Sequence, residues 1–161
     1  MTEIELVGID ADDTLWQSET FFAEVEEKFI ELMSKYSSDT SLEESLSSNE
    51  ISNLRVFGYG VKSFTLSMIE TAHLASGGNI ASSDIKQIIS WGKELLEHPV
   101  ILLDGVEEAI RELASNFTVY IVTKGDLLHQ RSKIEDSGLD KLVTGFDIFH
   151  EKDPESYLDF L

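Results

Sequence analysis

The chain has 161 residues, 42% of them hydrophobic, and carries 31 acidic against 12 basic residues for a formal net charge of −19. This balance argues against nucleic acid or an anionic membrane surface as a partner, because both require basic patches. The chain has no cysteine, which excludes disulfides, thiolate catalysis and zinc–thiolate sites. Neither a basic leader nor a long apolar segment follows Met1, so we expect a cytoplasmic protein that does not span a membrane.

The first predicted element is a buried strand that ends in acidic residues. An apolar run over residues 4–9 is followed by three aspartates, Asp10, Asp12 and Asp13. A short apolar run bounded by polar residues is typical of a buried strand, and open α/β sheets bind ligands at the carboxyl ends of their strands. Crowded carboxylates repel one another, and a divalent cation with oxygen ligands compensates them. Taken alone, the pattern also fits a solvated acidic turn.

The segment 17–97 carries helical patterns and no strand pattern. Apolar residues recur at helical spacing over 21–36, and further apolar stripes begin near Val61 and near Ser82. Ser82 or its neighbour is predicted to cap the last of these helices. The Ser- and Glu-rich stretch 37–52 is interpreted as a loose loop with at most one short helix. We therefore expect a helical insertion.

Strands and helices alternate after Pro99. Asp104 and Glu107 are spaced as a capping box for a helix. A β-rich run over 117–122 is followed by a predicted helix over 126–137 and by a weaker strand pattern over 146–149. This alternation favours a parallel sheet. The helical insertion would then divide the core and emerge beside the aspartates.

Three motifs in this order resemble those of the haloacid dehalogenase-like (HAD) hydrolase superfamily. The run Asp10-Ala11-Asp12-Asp13-Thr14 is similar to the acidic first motif. Thr123, at the end of the second predicted strand, is similar to the second motif. Lys152, shortly before a proline and an aromatic residue, is similar to the third. The large insertion after the first motif and Gln130 in the helix after Thr123 also agree with the family pattern. The resemblance is greatest to phosphoglycolate-phosphatase-like members with a helical cap.

The resemblance implies a fold and a domain organisation. It implies an α/β protein with a Rossmann-type, three-layer α/β/α core around a parallel sheet. Residues 1–16 and 98–161 would form this core, and residues 17–97 would form an inserted helical cap. Because both ends of the cap join the core near the aspartates, we expect the cap to open for substrate and to close for chemistry.

The resemblance also implies the reaction. Asp10 would attack phosphorus and form an aspartyl-phosphate. Asp12 would protonate the leaving oxygen and then take a proton from the hydrolytic water. Mg²⁺, held by the Asp10 carboxylate and the Asp12 backbone carbonyl, would offset the charge of the phosphate. The expected function is that of a magnesium-dependent phosphatase acting on a small phosphorylated metabolite.

A second group of residues is expected to hold the phosphate. The Thr123 hydroxyl, together with Lys124 and Gly125 through the amides that follow it, would bind phosphate oxygens, and Lys152 would neutralise the charge growing on them. In the absence of the first motif, Thr123 would be interpreted as a strand-end residue and Lys152 as a surface lysine.

Two further lysines are rivals to Lys152 for the phosphate. Lys133 and Lys141 are interpreted as less suitable, because they fall in a predicted helix and in the loop after it rather than just past a strand. The four histidines show no metal-ligand spacing.

The chain departs from the family pattern in one respect. The family has a fourth acidic motif after a further strand, and this chain reaches Leu161 one helix beyond Lys152. From this we expect either a chain truncated after the third motif or a partner that supplies the missing edge. We also expect weak Mg²⁺ binding by the 161 residues, and the incomplete sheet edge favours association with a second copy.

Three other functions are alternatives to that of a phosphatase. A 2-haloacid dehalogenase on the same scaffold has no need of Asp12. A phospho-receiver domain would place an aspartate at the end of the third strand, where Phe149-His150-Glu151 offers none. A catalytically impaired binding or scaffolding protein is compatible with the absence of the fourth motif.

Overall fold

The computed structural model describes residues 5–37 and 41–161. Ile4, the first residue of the predicted strand, therefore lies outside the described residues. The chain divides into two compact units, which we call the core unit (Met1–Glu19 with Pro99–Leu161) and the helical unit (Thr20–His98).

Strands and helices follow each other in a simple order. In chain order the elements are β1 (Leu6–Ile9), α1 (Glu19–Met33), α2 (Leu42–Phe57), α3 (Val61–Ala75), α4 (Ser82–Leu96), α5 (Val106–Ala114), β2 (Thr118–Lys124), α6 (Leu127–Ser137), a 3₁₀ turn (Leu139–Lys141), β3 (Gly145–Phe149) and α7 (Pro154–Phe160). Among the helices of the described segments, none is long and apolar enough to cross a membrane.

The three strands form a parallel sheet in the order β1-β2-β3. Ile9 is in register with Ile121, and Lys124 with Phe149. Because all three strands run in the same direction, the residues that follow β1 and β3 and those at the end of β2 lie at one edge of the sheet. This arrangement confirms the predicted α/β class with a parallel sheet.

The loop after β1 is fixed by burial of its apolar side chains. Ala11, Leu15 and Trp16 belong to the apolar cluster of the core unit, and Trp16 is completely buried. Backbone hydrogen bonds from Leu103 N to Leu15 O (3.0 Å) and from Gln17 N to Ile101 O (3.0 Å) hold the end of the loop. The acidic residues of the loop are thus carried by a backbone anchored on both sides.

The helical unit has an apolar cluster of its own. Its fully buried large side chains come from four helices and include Phe29 and Met33 of α1, Leu46 of α2, Met68 of α3 and Ile88 of α4. A cluster shared by all four helices explains why their apolar residues recur at helical spacing.

The interpretation of residues 37–52 as a loose loop was wrong. α2 occupies Leu42–Phe57, and only residues 38–40 of the stretch lie outside the described residues. The buried face of α2 is partly polar, because Asn53 donates to Ser67 Oγ (3.1 Å) and to Glu70 Oε2 (2.9 Å) of α3. A helix that buries amides as well as leucines shows little hydrophobic periodicity, and this is why the pattern missed it.

Two predicted helix caps were also wrong. Ala81 is the N-cap residue of α4 and makes no side-chain cap, so neither Ser82 nor its neighbour has that role. Gly105, in the left-handed region at φ 79°, precedes α5, and the capping box of Asp104 and Glu107 is not formed. In contrast, Asp126 caps α6 by accepting a hydrogen bond from the backbone N–H of His129 (3.0 Å).

Candidate active site

Asp13 shapes the turn between β1 and α1. Its φ of 56° lies in the left-handed region, which aspartate tolerates better than most residues. Its carboxylate accepts hydrogen bonds from the backbone N–H groups of Ser18 (2.9 Å) and Glu19 (3.1 Å). Asp13 is therefore occupied in holding the start of α1, and the two other aspartates of the loop face other partners.

Asp10 directly follows β1 and pairs with Lys152. The Lys152 ammonium donates to Asp10 Oδ1, although 142 positions separate the two residues in the sequence. The side chain of Asp10 is 51% exposed and that of Lys152 is 20% exposed. The structure thus brings the first and third predicted motifs together at the carboxyl edge of the sheet, where Asp10 is open to a ligand.

Asp12 is held by three donors. Its Oδ1 accepts from the Trp16 indole (2.7 Å) and from the Lys133 ammonium (2.5 Å), and its Oδ2 accepts from the Gln130 amide (2.9 Å). Burial acts to raise the pKa of this carboxyl, but the charge of Lys133 and the hydrogen bonds from Lys133, Trp16 and Gln130 outweigh it and lower the pKa. Asp12 is therefore an ionised carboxylate in this state.

Thr123 lies at the end of β2 and is almost completely buried. Its Oγ1 accepts a hydrogen bond from Gln130 Nε2 at 2.7 Å. Because the hydroxyl accepts from Gln130, its own proton remains to be donated to another group, as a ligand of phosphate must do.

Lys124 and Gly125 both have protein partners. The Lys124 ammonium lies 3.1 Å from Glu151 Oε1, and the Gly125 N–H donates to Phe149 O at 3.4 Å. Gly125 has a φ of 141°, and a Cβ atom there would lie 3.2 Å from Gln130 Cγ. Glycine at this position therefore leaves room for Gln130, and the expected contact of these two residues with substrate stays a prediction.

Lys133 contributes more to the site than we expected from the sequence. The sequence favours Lys152 as the phosphate ligand because Lys133 falls in a helix, yet α6 carries the Lys133 ammonium to Asp12 and places it 5.8 Å from the centre of the Trp16 ring. The missed signal is the spacing of Gln130 and Lys133, which lie three residues apart and so on one face of the helix that follows Thr123. Lys141, the other rival, is exposed in the 3₁₀ turn.

The oxygen atoms that Asp10 and Asp12 offer are of the kind that a magnesium ion binds. Within residues 5–37 and 41–161 no three His, Cys, Asp or Glu side chains converge to hold a metal. Asp10 and Asp12 nevertheless supply carboxylate and backbone oxygens, and Mg²⁺ characteristically takes one or two protein carboxylates together with water and phosphate oxygens. Two lysines beside two carboxylates leave this group without net charge.

Comparison with known proteins adds a family and a set of folds. The family model for haloacid dehalogenase-like hydrolases matches residues 4–161. A haloacid dehalogenase-like family hydrolase from Xanthomonas campestris is 43% identical, with a TM-score of 0.91 over 97% of this chain. The chain spans 66% of the length of that protein. A comparison with curated proteins found no match.

More distant structures share the fold. A 2-haloacid dehalogenase from Pseudomonas syringae is 18% identical, with a TM-score of 0.62 over 99% of this chain and 72% of its own. A predicted phosphoglycolate phosphatase from Haemophilus somnus is also 18% identical, with a TM-score of 0.56 over 98% of this chain and 71% of its own. Proteins described by either of the two activities share this fold, so the fold by itself does not distinguish between them.

Proposed function

Since this chain belongs to the haloacid dehalogenase-like hydrolase family, we propose that it is a magnesium-dependent phosphatase for a small phosphorylated metabolite. The observation that carries this proposal is the Asp12 carboxylate. It lies two residues after the exposed Asp10 and is held by Trp16, Gln130 and Lys133. A site that only needs a nucleophile has no use for a second carboxylate held in this way.

The first half of the reaction starts at Asp10. An Asp10 oxygen attacks phosphorus, the bond from phosphorus to the alcohol oxygen breaks, and the phosphoryl group is transferred to the carboxylate. Asp10 suits this role because it follows a strand directly and half of its side chain is exposed. Lys152 donates to Asp10 Oδ1, which supports a role in holding the attacking carboxylate, and its ammonium would neutralise charge growing on the phosphate oxygens.

Asp12 is proposed to handle the protons. In the resting state its lowered pKa keeps Asp12 ionised, so that it must gain a proton before it can act as an acid. The approach of an anionic phosphate raises the pKa of the neighbouring Asp12 carboxyl, so that Asp12 takes up a proton from solvent water and passes it to the leaving oxygen. After the alcohol departs, Asp12 takes a proton from the water that attacks phosphorus. The bond from phosphorus to the Asp10 oxygen breaks, which releases phosphate and restores the Asp10 carboxylate.

Substrate binding is assigned to the end of β2. The Thr123 hydroxyl, which accepts from Gln130, can donate its proton to a phosphate oxygen. We propose that Lys124 and Gly125 exchange their present protein partners for phosphate oxygens when substrate binds. Mg²⁺, when bound by the Asp10 carboxylate and the Asp12 carbonyl, would reduce the repulsion between Asp10 and the phosphate.

The proposal is tested by comparing two reactions on one preparation. With Mg²⁺ present, the protein is expected to hydrolyse p-nitrophenyl phosphate and to lose this activity when EDTA removes the metal. It is expected to release no chloride from 2-chloropropionate. Chloride release without phosphate release would identify a dehalogenase. The absence of both activities would favour a binding protein.

Asp10→Asn provides the matched test of the nucleophile. It should abolish turnover without unfolding the protein, because half of the side chain is exposed and it is not part of the apolar core. Asp147→Asn, an exposed aspartate within β3, is the control and should leave turnover unchanged. Turnover retained by Asp10→Asn would exclude the covalent route.

A single turnover in ¹⁸O-labelled water shows which atom of the aspartyl-phosphate the water attacks. Attack at phosphorus should place the label in phosphate, and attack at the carbonyl carbon should place it in the Asp10 carboxylate.

A further inference from the structure

Helix α6 brings two side chains to the Asp12 carboxylate. Gln130 and Lys133 lie three residues apart, and both reach Asp12 across more than one hundred positions of sequence. Gln130 donates a hydrogen bond to Asp12 Oδ2, and Lys133 donates one to Asp12 Oδ1. Helix geometry puts such a pair on one face, so the two contacts come from a single rigid element.

Gln130 connects Asp12 to the phosphate end of the site. Its Nε2 lies 2.9 Å from Asp12 Oδ2, 2.7 Å from Thr123 Oγ1 and 3.3 Å from Lys124 O. The side chain is 3% exposed, so these hydrogen bonds are made away from water, where an unpaired amide would be costly. The Asp12 carboxylate and the Thr123 hydroxyl are thus fixed relative to each other through one amide nitrogen.

Lys133 and Trp16 fix the other carboxylate oxygen. Both donate to Asp12 Oδ1, at 2.5 and 2.7 Å. A carboxylate with donors on both oxygens is restricted in rotation about its terminal bond, because rotation would break charge-assisted hydrogen bonds. The side chain of Lys133 is 13% exposed, less than the 20% of Lys152, and its ammonium contacts Asp12. Lys133 is therefore placed to act through Asp12.

We propose that Gln130 and Lys133 are positioning residues that hold the Asp12 carboxylate in a fixed orientation for proton transfer, an inference that rests on the proposed phosphatase function. They do not touch the reacting phosphate. Their effect should be greatest where the leaving oxygen needs a proton, and small where it does not.

The first measurement is kinetic. Lys133→Met removes the ammonium and keeps the length of the side chain. It should lower kcat for phenyl phosphate by about 10²-fold, the usual size of acid–base assistance. The loss should be smaller for p-nitrophenyl phosphate, and KM should change little. Lys133→Arg should restore most of the lost rate. Lys141→Met, which changes an exposed lysine of the 3₁₀ turn, is the control.

The second measurement does not depend on turnover. The chain has two tryptophans, so the Trp16 indole N–H resonance can be assigned with Trp91→Phe. This N–H donates to Asp12, and its NMR shift should move in Lys133→Met and in Gln130→Met but not in Lys141→Met. Methionine retains the Cβ and Cγ atoms of the glutamine side chain while removing the amide, which favours folding of the Gln130 variant.

The outcomes separate this inference from the proposed function. A rise in KM at constant kcat in Lys133→Met would make Lys133 a direct phosphate ligand and overturn the inference, and so would an equal loss of rate for both substrates. If the unaltered protein hydrolyses no phosphate monoester, the proposed function fails, and the indole resonance still decides whether the two residues hold Asp12. An unmoved resonance in both variants would show that they do not.

Discussion

At the scale of single residues, the site depends on what Asp12 can do with a proton. Asp12→Asn retains the shape of the side chain and removes both its charge and its capacity to transfer a proton. The rate should fall by about 10²–10⁴-fold for a substrate with a poor leaving group, the usual worth of general acid–base catalysis. The loss should be smaller for p-nitrophenyl phosphate, and steady-state kinetics on the two substrates would measure it.

The control for this variant is Asp13→Asn in the same loop. Asp13 accepts backbone hydrogen bonds from Ser18 and Glu19, and asparagine can still accept them. Its effect on rate should therefore not depend on the leaving group. Equal losses across leaving groups in Asp12→Asn would contradict the assignment of Asp12 as the acid.

At the scale of elements, α3 and α4 approach each other closely at Gly92. A Cβ atom at this position would lie 2.2 Å from Thr65 Oγ1, which itself donates to Val61 O (2.7 Å). Gly92→Ala should therefore destabilise the protein by about 1–3 kcal/mol, because the added methyl group overpacks the contact between the two helices. This loss should exceed the gain of about 1 kcal/mol by which alanine is favoured over glycine in a helix.

Thermal or urea unfolding would measure the effect of Gly92→Ala. The exposed neighbour Lys93→Ala is the control, since its side chain does not face α3. Adding Thr65→Ala removes the atom that the new methyl group meets first. The double variant should regain part of the lost stability. A Gly92→Ala protein as stable as the unaltered chain would show that the two helices can separate at little cost.

α1 and α2 bring two glutamates together. Partial burial and then the charge of Glu26 raise the pKa of Glu50, and burial together with Glu43 raises that of Glu26. The folded protein therefore binds these protons more tightly than the unfolded chain does. Its stability should fall as pH rises from the ordinary glutamate range through the raised pKa, and the cost should be complete above it.

Glu50→Gln tests the sign of this effect. Glutamine has no charge to desolvate, so the variant should melt at a higher temperature than the unaltered protein at pH 7. At about pH 3, below the ordinary glutamate pKa of about 4.3, the difference should vanish. Glu27→Gln, an exposed glutamate of α1, should show no such pH-dependent gain. A gain of equal size at both pH values would show that charge is not its cause.

At the scale of the whole molecule, net charge opposes the binding of an anionic substrate. With a formal charge of −19, the protein repels phosphate esters at long range. Salt screens this repulsion, since the Debye length falls from about 30 Å at 0.01 M to about 8 Å at 0.15 M ionic strength. We therefore predict that kcat/KM rises with added NaCl over this range.

The value of kcat provides the internal control, because it is measured with substrate already bound and should change less. A fall in kcat/KM over the same range would indicate that the lysines of the site dominate the approach of substrate, in spite of the net charge.

The same charge predicts that the protein does not retard DNA in a low-salt gel. The predicted closing of the helical cap and the association of two copies stay predictions.

The sequence by itself determined the fold class and where along the chain the acidic motif lies. An apolar run followed by Asp10 and Asp12 shows strand and acids directly, because both are local patterns. The alternation of strands and helices after Pro99 predicted the parallel sheet because such connections follow general rules of chirality and length. The order of three motifs was sufficient to indicate the family.

Only the tertiary structure decided which side chains meet. Helix α2 could not be predicted because its buried face includes Asn53, whose partners Ser67 and Glu70 belong to another helix. The contact of Lys133 with Asp12 could not be predicted, because a helix position says nothing about which carboxylate its side chain reaches. The contacts from Gln130 and Lys133 to Asp12 span more than one hundred residues. Such contacts arise from the packing of α6 beside the sheet, and packing is a property of the folded chain that no local pattern records.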